Sequence, residues 1–148
     1  MNSDTYDRGI EKIREIYGQA GEGVIKNLKD ISPEFARYII EFPFGEIYSR
    51  SGLDPKSREI AIVASLVTMG NASSQLKVHI NGALNVGCSR TEIIEVIIQM
   101  AVYAGFPSAL NGLFVAKEVF DERESGWEKC DDIFKAKSPT LSLSLYYV

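Results

Sequence analysis

Apolar residues in this chain recur every three or four positions from Tyr6 to Phe120, and that spacing leaves a bundle of amphipathic helices as the fold to expect. Tyr6, Ile10, Ile13 and Tyr17 form the first stripe, opened by Asp4 as a cap and stopped at Gly18. Val24, Ile25 and Leu28 predict a short helical segment next. Ser32-Pro33 then supplies an N-cap and a first-turn proline for a helix carrying Phe35, Ile39 and Phe42. Pro43 and Gly45 predict a kink or break near Phe42, because proline lacks a backbone donor and clashes with the preceding turn.

Asp54-Pro55 repeats the cap-then-proline signal before Ile60, Ala61, Val63, Ala64, Leu66 and Val67. A helix apolar on so many sides belongs in the middle of a fold or between subunits. Gly70 ends it, and Leu76, Ile80, Ala83 and Leu84 share one face of the next helix, which stops at Gly87. Ser89-Arg90-Thr91-Glu92 is a capping box that launches Ile93, Val96, Ile97, Met100 and Ala101. After Gly105-Phe106-Pro107, a last helix sets Leu110, Leu113, Ala116, Val119 and Phe120 at core spacing. The sum is an all-α domain of about six helices.

With 148 residues, one core is the default, and residues 1–124 hold the whole helical pattern. Residues 125–148 form a C-terminal extension in which Leu141 to Val148 alternates apolar and polar side chains, a strand period with no partner strand in view. Such a segment is expected to be disordered or to lie as an arm on another subunit.

A net charge of −4 argues against a nucleic-acid partner, whose affinity comes from clustered Lys and Arg. The longest apolar run, Ile60 to Met69, is shorter than the roughly 20 residues a membrane span needs. Cys88 and Cys130 are too few for a disulfide framework and too far apart for a C-x-x-C pair, and no signal-peptide pattern opens the sequence, so a reducing cytoplasm is the expected compartment. One histidine and two distant cysteines predict no metal cluster.

His79, the single histidine, is the first candidate for chemistry, since imidazole takes and returns a proton near neutrality; the plain alternative is a surface or satisfied core residue. Glu59 stands near the start of an apolar helix, where it either interacts with the helix dipole or partners a functional group. Arg50 and Arg58 flank the Gly52 turn and offer planar forks for carboxylates, with surface solvation as the alternative for each. Tyr103 and Asn85 are weaker polar candidates for substrate binding.

Three blocks carry a resemblance: Arg50-Ser51-Gly52-Leu53-Asp54 with Lys56-Ser57-Arg58-Glu59; His79 with Ala83-Leu84-Asn85-Val86-Gly87; and Val102-Tyr103-Ala104-Gly105-Phe106-Pro107-Ser108-Ala109. In order and spacing they resemble the carboxymuconolactone decarboxylase family, within the alkylhydroperoxidase D-like group, from about Tyr6 to Phe120. The resemblance implies a cofactor-independent decarboxylase that converts 4-carboxymuconolactone to the enol-lactone of 3-oxoadipate in aromatic-acid degradation. It makes His79 the general acid/base and Glu59 its relay partner, strengthens Arg50 and Arg58 as binders of a small carboxylate substrate, and implies a homo-oligomer, hexamer before trimer. The peroxidase branch carries a C-x-x-C pair before its histidine, and here those positions hold Ala72 and Gln75. The two rival readings are a peroxidase or thiol-disulfide oxidoreductase using Cys88, with or without Cys130, and a helical oligomer without activity.

Overall fold

A computed structural model describes the backbone of residues 3–136 and the side chains of residues 4–125. Its elements are α1 (Ser3–Ile31), α2 (Pro33–Ile39), a π-helix (Ile40–Tyr48), α3 (Pro55–Met69), α4 (Ser73–Asn85), α5 (Arg90–Ala104) and α6 (Phe106–Ala136). Among the described residues there is no strand, and no helix is long and apolar enough to cross a membrane.

Local chemistry sets most of the ends. Ser32 Oγ accepts the Phe35 amide at 3.3 Å and Asp54 Oδ1 the Ser57 amide at 3.0 Å, so α2 and α3 start at the two predicted prolines. Ser89 and Glu92 close the reciprocal box at the head of α5. Each such cap contributes about 1 kcal/mol by satisfying amides that the first turn leaves orphaned. Gly70 takes the left-handed φ of 69° that stops α3.

Two stretches differ from the expectation. The first stripe and the short segment after it are two parts of α1, joined through a sharp bend at Gly18 (φ 56°, ψ −141°), so the stop signal acts as a kink and the chain resumes its helix. The interruption expected at Phe42 is absorbed differently: Ile40–Tyr48 widens into a π-helix with Pro43 inside it. Proline cannot donate to the helical ladder, and a wider turn is a known way for a helix to take in a local irregularity without ending.

The apolar side chains fall into two clusters rather than the single core expected. The larger unites α3, α4, α5 and α6 through Val63, Val67, Leu76, Ile80, Ile93, Ile97, Ala116 and Val119. The smaller joins α1 to the π-helix through Ile13, Ile25 and Ile40. A close crossing brings that second layer together, since a Cβ on Gly9 would meet the Ile40 carbonyl oxygen at 2.1 Å. Glycine alone allows the two backbones to touch. α3 packs against α4, α5 and α6, the central place its composition predicts. α6 continues as a helix beyond residue 124 to Ala136; the alternating stretch Leu141 to Val148 lies outside the described residues.

Candidate active site

Four elements meet where the two clusters abut, and each delivers one polar side chain. α3 brings Glu59, α4 brings His79, the bend of α1 brings Tyr17, and the end of the π-helix brings Tyr48. Glu59 has 0% of its surface exposed. A carboxylate in such a place costs several kcal/mol unless donors surround it. Here the Tyr17 hydroxyl donates to Oε1 at 2.8 Å, the Tyr48 hydroxyl approaches Oε1 at 3.4 Å, and His79 Nδ1 lies 2.9 Å from Oε2.

Proton bookkeeping assigns the imidazole. A carboxylate only accepts, and Tyr17 has given its single hydroxyl proton to Glu59, so the proton between His79 and Glu59 belongs to Nδ1. That N–H is shared with the Tyr17 oxygen, 2.8 Å away. Nε2 has no protein partner among the described residues and is left to accept or give a proton at the cavity. A carboxylate behind an imidazole fixes both tautomer and ring orientation. The tyrosines stay neutral donors: burial first, then the charge of Glu59, pushes both phenols above their ordinary range.

Packing holds the relay rigid. The Tyr17 ring meets His79 edge-on at 5.6 Å and Phe44 edge-on at 5.9 Å, and Phe44 in turn lies 4.8 Å from Tyr48. Gly82, one turn beyond His79, lets the Cδ1–Cε1 side of the Tyr17 ring approach α4 more closely than a Cβ would allow. His79 opens on a cavity of about 360 Å³ whose other walls are mostly apolar, including Ile13, Val24, Ile25, Leu28, Phe35, Ile39, Phe44 and Val78.

The other sequence candidates lie elsewhere. Arg58 is committed to its own turn, donating through Nε to the Leu53 carbonyl at 3.1 Å and through an Nη to the Arg50 carbonyl at 2.9 Å. Arg50 has an exposed side chain, and neither arginine lines the His79 cavity. Tyr103 is 74% exposed on α5. Asn85 donates to the Ile16 carbonyl at 2.9 Å and accepts from Arg123, lining a second cavity beside the first. Tyr17 and Tyr48 were not among the candidates: Tyr17 reads as one member of an apolar stripe, and nothing near Tyr48 in the sequence marks it. Cys88 is buried in the larger cluster, where desolvation pushes its thiol up, away from the thiolate a redox nucleophile requires. Among the described residues no three His, Cys, Asp or Glu side chains converge as metal ligands would.

Residues 33–118 match the carboxymuconolactone decarboxylase family. A 4-carboxymuconolactone decarboxylase of Acinetobacter baylyi is 31% identical over 124 residues, 82% of this chain and 92% of that one. A nitrosuccinic acid decarboxylase of Metarhizium robertsii is 28% identical over 118 residues, 79% of this chain and 82% of that one. This chain belongs to the carboxymuconolactone decarboxylase family.

Proposed function

We propose that the protein decarboxylates a small dicarboxylic acid whose departing carboxylate is attached beside an electron-withdrawing group, with 4-carboxymuconolactone as the first substrate to test. Family membership makes it an enzyme of the carboxy-lyase class; the substrate is the proposal. One observation carries it: a single imidazole, backed by a fully buried carboxylate and a tyrosine, gives onto an apolar cavity. When carbon dioxide leaves, the electron pair of the broken C–C bond moves into the substrate's own unsaturated lactone. A proton must then be returned to carbon. Imidazolium at His79 supplies it from Nε2, Glu59 stabilises the cation through Nδ1–H, and solvent restores the proton afterwards. The apolar wall favours loss of the carboxylate, because a charge that spreads in the transition state gains from leaving water.

Both relatives are named for acids that fit this scheme, one an unsaturated lactone and one a nitro-acid. The test is release of carbon dioxide from each acid by purified protein, beside a peroxide assay with a dithiol reductant. No decarboxylation of either acid, or peroxide turnover instead, rejects the proposal. Cytoplasmic aromatic-acid degradation is the setting we propose for it.

The thiol reading makes its own prediction. Cys88→Ala with Cys130→Ala is expected to leave decarboxylation within about twofold of wild type, since neither sulfur has a step to perform. Loss of activity in a double variant that still folds would reinstate it.

We also propose that the chain assembles with itself, as a hexamer or, failing that, a trimer. Ile98 and Val102 on α5 and Phe106, Leu110 and Phe114 on α6 are exposed at intervals of four residues, so each set forms one helical face. Exposed apolar faces of this kind are association surfaces more often than solvent-facing ones. The surface suited to assembly thus lies on α5 and α6, not on the central helix, whose Val63 and Val67 are covered within the subunit. Light scattering is expected to give a mass several times that of one chain; a monomer at micromolar concentration rejects assembly. A chain ending at Glu124, measured alongside, shows whether the extension contributes.

A further inference from the structure

A diacid that loses one carboxylate must hold the other, and among its described lining residues the His79 cavity offers no lysine or arginine for that purpose. A second cavity, of about 500 Å³, adjoins it. The two share Tyr17, Gly21, Val24 and Val78, and the second adds Lys77, Asn81, Asn85 and Arg123.

Its two cations are in different states. Lys77 Nζ is 2.6 Å from Glu122 and 3.7 Å from Glu118, so its charge is already matched by carboxylates. Arg123 has only neutral partners among the described residues: Nε donates to Asn81 Oδ1 at 2.9 Å, and an Nη donates to Asn85 Oδ1. The acids beside it on α6 are engaged, Glu122 by Lys77 and Glu124 by Arg90. Both amides are fixed from behind, Asn81 Nδ2 by the Lys77 carbonyl at 3.1 Å and Asn85 Nδ2 by the Ile16 carbonyl at 2.9 Å, which turns their oxygens toward the guanidinium. Among the described residues two of the five N–H donors of Arg123 find partners, which leaves three for a ligand. A pre-oriented guanidinium with spare donors and no acid partner among the described residues is a fork shaped for a carboxylate.

We propose that Arg123 is the specificity-determining residue that anchors the carboxylate the substrate keeps, leaving the carboxylate it loses in the apolar cavity against His79. The two carboxylates of one molecule are thus sorted by environment: the cation fixes one end, and that binding energy holds the other where desolvation favours its departure. The assignment of the two ends rests on the decarboxylase reading; the anion site itself rests on geometry alone.

Calorimetric titration with succinate, glutarate and adipate, each beside its dimethyl ester, which has no carboxylate to anchor, tests the anchor without turnover. Wild type is expected to favour at least one diacid over its ester by about tenfold, the scale of one charge-assisted contact. Arg123→Gln is expected to erase that preference while leaving ester binding unchanged, which loss of a merely structural tie between α6 and α4 would not do. Arg123→Lys should keep part of it, and decides the matter if the glutamine variant does not fold: an undiminished preference counts against the anchor, a several-fold drop supports it. A wild type without diacid preference, or an Arg123→Gln protein that retains one, overturns the proposal. If the preference depends on Arg123 but neither relative's acid is decarboxylated, the reaction assignment fails and the anion site stands. If decarboxylation proceeds and Arg123→Gln changes neither KM nor the preference, the anchor alone fails.

Discussion

His79→Gln is expected to fold, to bind substrate, and to lose about 100-fold or more of its turnover, the range measured when a general acid/base is removed. Glutamine fills a similar volume and keeps an N–H that can reach Glu59, so the buried carboxylate retains a donor in place of Nδ1, now 2.9 Å from Oε2. It has no proton to return to carbon. The loss should therefore fall on kcat, with KM near the wild-type value, because nothing that holds the substrate in the ground state has been removed. Progress curves for the lactone give both constants. An unchanged kcat would remove His79 from the chemistry, and with it the reason for the relay behind it; a raised KM with normal kcat would make it a binding residue instead.

What the sequence revealed of this arrangement depended on how local the cause was. Ser32, Asp54 and Ser89 act on amides within three residues of themselves, so the starts of α2, α3 and α5 could be read directly. His79 and Glu59 stood out chemically, one as the single histidine and the other as an acid in an apolar helix. Their partner did not. Tyr17 lies 42 residues from Glu59 and 62 from His79, and on its own helix it occupies an apolar position like any other. Only the fold shows that its ring is core while its hydroxyl is part of the site. Arg50 and Arg58 attract notice beside the motif, yet the backbone carbonyls of a single turn claim the guanidinium of Arg58. Arg123 looks like one charge among many on α6, and what distinguishes it is that its partners among the described residues are two neutral amides of α4, a property of neighbours and not of any pattern in the chain.

Gly82→Ala is the substitution expected to damage the relay most while touching none of its members. In an ordinary helix interior the change is favourable by about 0.5–1 kcal/mol, since alanine restricts the unfolded chain. At this position the new methyl would sit 2.4 Å from Tyr17 Cε1, 3.0 Å from Cδ1 and 3.2 Å from Glu59 Oε2. The ring cannot yield cheaply, because it is buried edge-on between Phe44 and His79. Overpacking of this kind costs about 1–3 kcal/mol, enough to outweigh the helix propensity, so the unfolding midpoint in urea should fall. If Tyr17 moves, its hydroxyl leaves Glu59, and a displacement near 1 Å in a positioned acid/base can cost up to about 100-fold in rate. Gly23→Ala is the control: it makes the same change in α1 at a site with nothing within 4 Å of the new Cβ, and is expected to be neutral or stabilising with full activity. Adding Tyr17→Leu to Gly82→Ala should recover part of the stability by vacating the space, without recovering turnover, because leucine cannot donate to Glu59. A Gly82→Ala protein as stable and as active as the Gly23→Ala control would mean that Tyr17 is free to move and that its hydrogen bond to Glu59 plays no part in holding His79.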